Sequence, residues 1–177
     1  MTVTDTINHV ALVLDRSTSM SPHANNLIEV ADSLIKHLAE QSVKMNQETR
    51  VTVYTFGSDV DCVIFDKDVL RLPSIATLYR LRGMTALVDA TYQSVDDLEK
   101  TAQMYGDHAF LVYVLTDGQE NISSINKNVL FKKLQSLSDN WTIAALVPDR
   151  RGEQYAQACG FPANNIAIWE ADNSVDG

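Results

Sequence analysis

Two long apolar runs dominate the pattern of the chain. Val10-Ala11-Leu12-Val13-Leu14 runs straight into Asp15 and the spaced hydroxyls of Ser17 and Ser19. Ala109-Phe110-Leu111-Val112-Tyr113-Val114-Leu115 runs into Thr116-Asp117-Gly118. Continuous runs of this kind read as strands buried on both faces, here expected over Ile7 to Leu14 and His108 to Thr116. Each ends in a polar crest. After the first, Ser21 and Pro22 read as the cap and first turn of a helix. That helix is expected to reach about Lys44, because Ala24, Leu27, Ile28, Ala31, Leu34, Ile35 and Leu38 keep the three-and-four spacing of one face.

The other elements follow from weaker signals. Arg50 to Phe56 alternates, Gly57-Ser58-Asp59 is a turn, and Val60 to Phe65 resumes at once, which predicts an antiparallel hairpin. Pro73 is expected to open a short helix carrying Ile75, Leu78 and Leu81, closed by Gly83. A stronger helix is expected from Ala86 to about Met104, with Leu87, Ala90, Val95 and Leu98 in the core. Asn126 to Ser138 reads as a helix through Val129, Leu130, Leu134 and Leu137. Trp141 to Val147 reads as a strand stopped by Pro148, Arg151 to Cys159 as a short helix, and Ile166 to Trp169 as an edge strand. Strands alternating with helices imply an α/β, Rossmann-like, doubly wound fold: a mostly parallel sheet, one antiparallel edge strand, and helices on both faces. We expect a single domain over 1–177, with its core at about 7–169 and an acidic tail at 170–177. In such sheets ligands sit at the carboxyl ends of the strands, where both crests fall.

Composition narrows the function. Apolar residues make up 45% of the chain, enough for a sizeable core, and the formal net charge is -9. An acidic balance argues against nucleic-acid binding, which needs cations over the phosphates. It suits a bound cation or a basic partner, and equally a surface kept soluble by charge. The two cysteines, Cys62 and Cys159, form neither a metal pair nor a disulfide framework, so a reduced, cytoplasmic setting is expected. We see no signal peptide in Met1 to Asp5 and no run long enough to span a membrane. Asn121-Ile122-Ser123 matches the glycosylation pattern and is read as chance.

Three segments offer oxygen donors: Asp15 to Ser19, Gly83-Met84-Thr85 and Thr116-Asp117-Gly118. Hard cations such as Mg2+ prefer oxygen ligands in near-octahedral array. Two carboxylates and three hydroxyls would leave such a cation short of negative charge, and so with an appetite for one more anionic oxygen. Taken singly, Ser17 to Ser19 and Asp117-Gly118 also read as ordinary turns. Asp89 lies one helical turn after Thr85; it reads as a capping or solvated residue, or as outer support for the site. Gln119, Glu120 and Asn121 are expected at the rim. Arg80 and Arg82 read as a solvated face or as partners for carboxylates, and Met20 and Met84 as loop packing or adaptable contacts. The four histidines show no ligand spacing and receive no chemistry. Cys62 is expected to be a small buried hydrophobe.

Asp15-x-Ser17-x-Ser19, Thr85 within Gly-Met-Thr-Ala-Leu-Val-Asp-Ala, and Thr116-Asp117-Gly118 together resemble the metal-ion-dependent adhesion site of von Willebrand factor A domains. The resemblance extends over about Ile7 to Trp169. It implies a six-stranded sheet of order 3-2-1-4-5-6. It implies a cation, Mg2+ with Mn2+ or Ca2+ as alternatives, held by Ser17, Ser19 and Thr85 directly and by Asp15 and Asp117 directly or through water. It implies a non-enzymatic, metal-dependent interaction domain that takes a Glu or Asp from a protein partner, with a conformational switch as a further property of the family. Stand-alone intracellular domains of this kind resemble bacterial or phage accessory proteins that act with a partner such as an ATPase. Two competing readings stand beside it. One is a scaffold with a structural metal that binds elsewhere. The other is a Mg2+-dependent phosphatase-like enzyme using Asp15, against which Ser17 stands where a second carboxylate would be wanted.

Overall fold

The computed structural model describes residues 6–101, 107–117 and 123–168. Six strands form one sheet: β1 (Thr6–Asp15), β2 (Glu48–Phe56), β3 (Val60–Asp68), β4 (Asp107–Leu115), β5 (Trp141–Val147) and β6 (Ile166–Ile168). Their order is β3-β2-β1-β4-β5-β6. All neighbours are parallel except β2 and β3, which form the expected antiparallel hairpin with a register shift around Val53. Four α-helices connect them: α1 (Ala24–Met45), α2 (Leu87–Glu99), α3 (Lys127–Gln135) and α4 (Arg150–Ala158).

The apolar runs are explained by a core on each face. Ala11 and Val13 of β1, with Phe110, Val112 and Val114 of β4, pack against Leu87, Val88, Val95, Leu130, Leu134 and Ala156 of α2, α3 and α4. Val10, Leu12 and Leu14 face the other way, onto Leu27, Ala31 and Ile35 of α1. Alternate residues therefore meet different helices and all must be apolar. Over β4 and β5 the α1 face is less completely covered, and Leu111, Tyr113 and Ala144 remain half-buried.

Local chemistry moved several boundaries. The chain turns out of β1 through a 3-10 segment, Thr18–His23, and α1 starts only at Ala24; Ser21 is exposed and caps nothing. Ser17 holds the N-cap position of that segment but makes no capping bond, because its hydroxyl is committed to Asp15. α1 ends at Asn46, in the left-handed conformation common after helices. The expected helix after Pro73 is a single 3-10 turn, Ile75–Thr77, capped by Ser74 and fastened to α1 where the Ile75 N–H donates to Asp32 Oδ1 at 2.8 Å. Beyond it the backbone leaves helical form to reach the crest, and Leu81 is exposed instead of packed. Val129 is likewise exposed, since the short α3 buries only Leu130 and Leu134. Cys62 is exposed on the edge strand β3, contrary to the expected buried hydrophobe. Met104, Gln119 to Asn121, Trp169 and the expected tail lie outside the described residues.

Candidate metal centre

The sheet order changes direction between β1 and β4, and this opens a crevice at the carboxyl ends of those two strands. Asp15 is the last residue of β1, and Asp117 follows β4 by two positions. Both are buried, at 0% and 7% exposure. The Ser17 N–H and hydroxyl donate to Asp15 Oδ1 at 2.9 and 2.6 Å. The Ser17 and Ser19 hydroxyls are 3.0 Å apart, and the Ser19 hydroxyl donates to Asp117 Oδ2. The second oxygen of Asp15 accepts from the Thr116 hydroxyl at 2.7 Å. Four of the five predicted ligands, Asp15, Ser17, Ser19 and Asp117, thus lie in one run of polar contacts, in which each serine spends its single proton on a carboxylate. Ser17 is buried and Ser19 exposed, so the run opens to solvent at Ser19.

The fifth, Thr85, is 1% exposed and precedes α2. Its segment is fixed to the same loop: the Arg82 N–H donates to Arg16 O at 2.7 Å, and the Thr18 N–H to Gly83 O at 3.1 Å. On its other side the Ala86 N–H donates to Gly57 O at 2.9 Å. Two glycines permit this approach. A Cβ on Gly57 would lie 2.3 Å from Arg82 O, and Gly83 has φ +86° with Ser58 N only 2.7 Å from where its Cβ would be.

The electrostatics are unfavourable without a counter-charge. Burial, and then the Asp117 carboxylate, push the Asp15 carboxyl up to about 6; the bonds from Ser17 and Thr116 pull the other way. Buried carboxylates this close, surrounded by hydroxyl oxygens, are a donor set that hard cations take. Among the described residues no group of three or more His, Cys, Asp or Glu side chains forms a metal site. A metal here would therefore depend on serine and threonine hydroxyls beside only two carboxylates.

Three supporting residues were missed by sequence reasoning. Thr116 was quoted only as part of a motif, yet it holds Asp15. The Tyr79 hydroxyl donates to the main-chain oxygen of Asp15, and burial together with Asp15 raises its pKa. Arg16, 6% exposed, donates from Nη2 to Asp61 Oδ2 of β3 at 2.6 Å. No local signal marks these contacts; all three depend on how distant segments pack. Asp89 accepts the Ser124 and Ile125 N–H groups, each at 2.9 Å, so it fastens residues 124–125, ahead of α3, to α2. Met20 is buried loop packing, and Met84 is half exposed.

The histidines are not all scattered. His9 Nε2 and His108 Nδ1 lie 2.9 Å apart with their rings stacked, and His9 also stacks on Phe110. Burial and His108 lower the His9 pKa. The pair sits six residues along β1 from Asp15, roughly 20 Å at strand rise, beside a groove at the opposite end of the sheet.

No protein-family model and no curated protein matches the sequence. Solved structures do match. The vWF domain of the type V pili tip protein Mfa5 from Porphyromonas gingivalis aligns with TM-score 0.68 and 11% identity, over 97% of this chain and 92% of that one. The fold is that of a von Willebrand factor A domain. The pilus adhesin SpaC from Lactobacillus rhamnosus GG aligns with TM-score 0.72 and 13% identity, over 99% of this chain and 29% of that one. Proximal thread matrix protein 1 from the mussel byssus aligns with TM-score 0.63 and 17% identity, over 98% of this chain and 45% of that one. The A-domain fold thus spans less than half of the last two proteins. At these identities the likeness establishes architecture, and the function has to be argued from the crest itself.

Proposed function

We propose that this A-domain fold is a protein-interaction module whose crest holds a divalent cation, Mg2+ with Mn2+ or Ca2+ as substitutes. Asp15, Ser17, Ser19, Thr85 and Asp117 would be its ligands, and a Glu or Asp of a protein partner would complete its coordination. One observation carries the reading: the contacts Asp15–Ser17–Ser19–Asp117, open to solvent at Ser19, bring two buried carboxylates from the ends of neighbouring strands close enough that the Asp117 charge raises the Asp15 pKa. A cation bound there supplies the missing positive charge and an open position for an outside oxygen. With hydroxyls as most of its ligands, it stays electron-poor and favours an anionic one. The pilus adhesin and pili tip protein that share the fold support a role in contact between proteins. Catalysis by Asp15 is disfavoured, because its Oδ1 accepts the Ser17 hydroxyl where phosphoryl transfer would want a second carboxylate.

The test is metal-dependent stability. Mg2+ at 100 times its dissociation constant raises unfolding free energy by about 2.7 kcal/mol. The gain is expected in the wild type, lost in Asp15→Ala and reduced in Thr85→Ala. An equal gain in wild type and Asp15→Ala would mean that cations merely relieve the acidic surface, and the proposal would fall.

A further inference from the structure

Resting on that reading of the crest, we propose that the surface beside it receives a partner segment with a second carboxylate, which Arg82 binds. The stretch Leu81 to Met84 has a fixed backbone and free side chains. The Arg82 N–H donates to Arg16 O, Gly83 O accepts from the Thr18 N–H, and the Met84 N–H donates to Ser58 Oγ at 3.0 Å. These bonds clamp the stretch between the Asp15–Ser19 loop and the β2–β3 turn. Yet Arg82 is exposed, and Leu81 and Met84 are 37% and 50% exposed.

The neighbouring cations are already engaged. Arg16 is buried and bonded to Asp61. Arg80 donates from Nη1 to the carbonyls of Tyr79 and Ala76, at 2.9 and 3.3 Å. The Arg82 guanidinium makes no hydrogen bond or ion pair among the described residues. An arginine held at the lip of an anion-seeking site, with no internal carboxylate to give up first, is suited to a carboxylate from outside.

Charge gives the reason for it. The chain carries a net charge of -9, whose field opposes the approach of any acidic partner. A divalent cation in the crest offsets only part of that charge and leaves the balance acidic. Arg82 offsets the wider repulsion at the point of contact, and Leu81 and Met84 on either side offer apolar surface. The segment that fits has two acidic side chains close in sequence with an apolar one between or beside them.

Short synthetic peptides test this in saturating Mg2+. One set has a single aspartate beside a leucine; the other has two aspartates separated by one, two or three residues and the same leucine. Binding is followed by NMR titration at low salt, with Mg2+ affinity measured separately. The best two-acid peptide is expected to bind wild type about two- to fivefold more tightly than the one-acid peptide, the worth of an exposed ion pair. Arg82→Ala should remove that ratio and leave Mg2+ affinity unchanged, and 1 M salt should bring the wild-type ratio close to one. A ratio that persists in Arg82→Ala, or is absent from a wild type that binds Mg2+, overturns the role of Arg82 alone. A wild type that does not bind Mg2+ overturns the reading of the crest and this proposal with it.

Discussion

Thr116 and Asp15 are 101 positions apart in the chain and joined by a 2.7 Å hydrogen bond at the ends of adjacent strands. The bond is buried, so its loss is not repaired by water. Thr116→Val keeps the shape and removes the donor, leaving one oxygen of Asp15 with only the distant Asp117 N–H, at 3.4 Å. An unsatisfied buried acceptor costs about 1–3 kcal/mol. Urea unfolding in chelator should show a loss of that size for Thr116→Val, and little loss for Thr116→Ser, which retains the hydroxyl.

Asp15 gives stability an unusual pH dependence in the absence of metal. Its carboxyl titrates near 6 in the fold against 3.8 for the free side chain. Between those values the folded state holds a proton that the unfolded state has released. The resulting stabilisation is complete below pH 3.8 and lost as pH rises through 6. The interval corresponds to about 3 kcal/mol. In chelator, the stability of wild type minus that of Asp15→Asn should therefore fall by about this amount from pH 4 to pH 7. A difference that stays flat, or rises, would show that burial and the Asp117 charge do not hold the Asp15 carboxyl above its free value. If the crest binds Mg2+ as proposed, adding the ion should reverse the slope, since the metal favours the ionised form.

The legibility of this architecture follows from where its information is stored. The central runs of β1 and β4 are readable because strands packed by helices leave few polar positions to interrupt them, and the two crests stand out against those runs. The five candidate ligands were singled out because their segments follow strand ends or a loop and because together they resemble a known metal-site motif; the structure brings Asp15, Ser17, Ser19 and Asp117 into mutual contact. What escaped was cross-strand register and the packing of irregular segments. His9 and His108 are 99 residues apart, and only the alignment of β1 on β4 brings them to hydrogen-bonding distance. Tyr79 meets the main-chain oxygen of Asp15 across 64 positions, from a turn in which its own N–H bonds back to Ile75 O and which Asp32 of α1 fastens at Ile75. Cys62 escapes for a related reason: it lies on the edge strand, opposite Tyr54 and lining an open groove, and the apolar composition of β3 does not reveal which of its positions the helices leave uncovered.

That exposure makes Cys62 a probe of the native state. It lies on β3, which pairs only with β2, whereas Cys159 after α4 is fully buried. A thiol reagent should modify Cys62 in the folded protein and reach Cys159 only after unfolding. Its thiol is only partly shielded, in the groove it lines, and that shielding together with the nearby Asp97 carboxylate raises the Cys62 pKa, so modification should be slow at neutral pH and accelerate toward alkaline pH. Mass mapping of the modified peptide decides it; equal labelling of both cysteines in native buffer would contradict the edge position.

Gly57 tests whether the Thr85 segment is held where the crest needs it. Its φ is not in the left-handed region, so the glycine is there for space, not for backbone conformation. A methyl group would meet the carbonyl oxygen of Arg82 at 2.3 Å, and that oxygen belongs to main chain that cannot rotate away. Gly57→Ala must displace the Arg82–Met84 stretch, which is bonded to Arg16 and Thr18 of the crest loop. Overpacking of this kind costs about 1–3 kcal/mol. The variant should lose stability by that amount in chelator and, on the proposed function, should also gain less from Mg2+ than the wild type, because Thr85 moves with its segment. A Gly57→Ala protein with full stability and an undiminished Mg2+ response would show that the turn after β2 does not position Thr85.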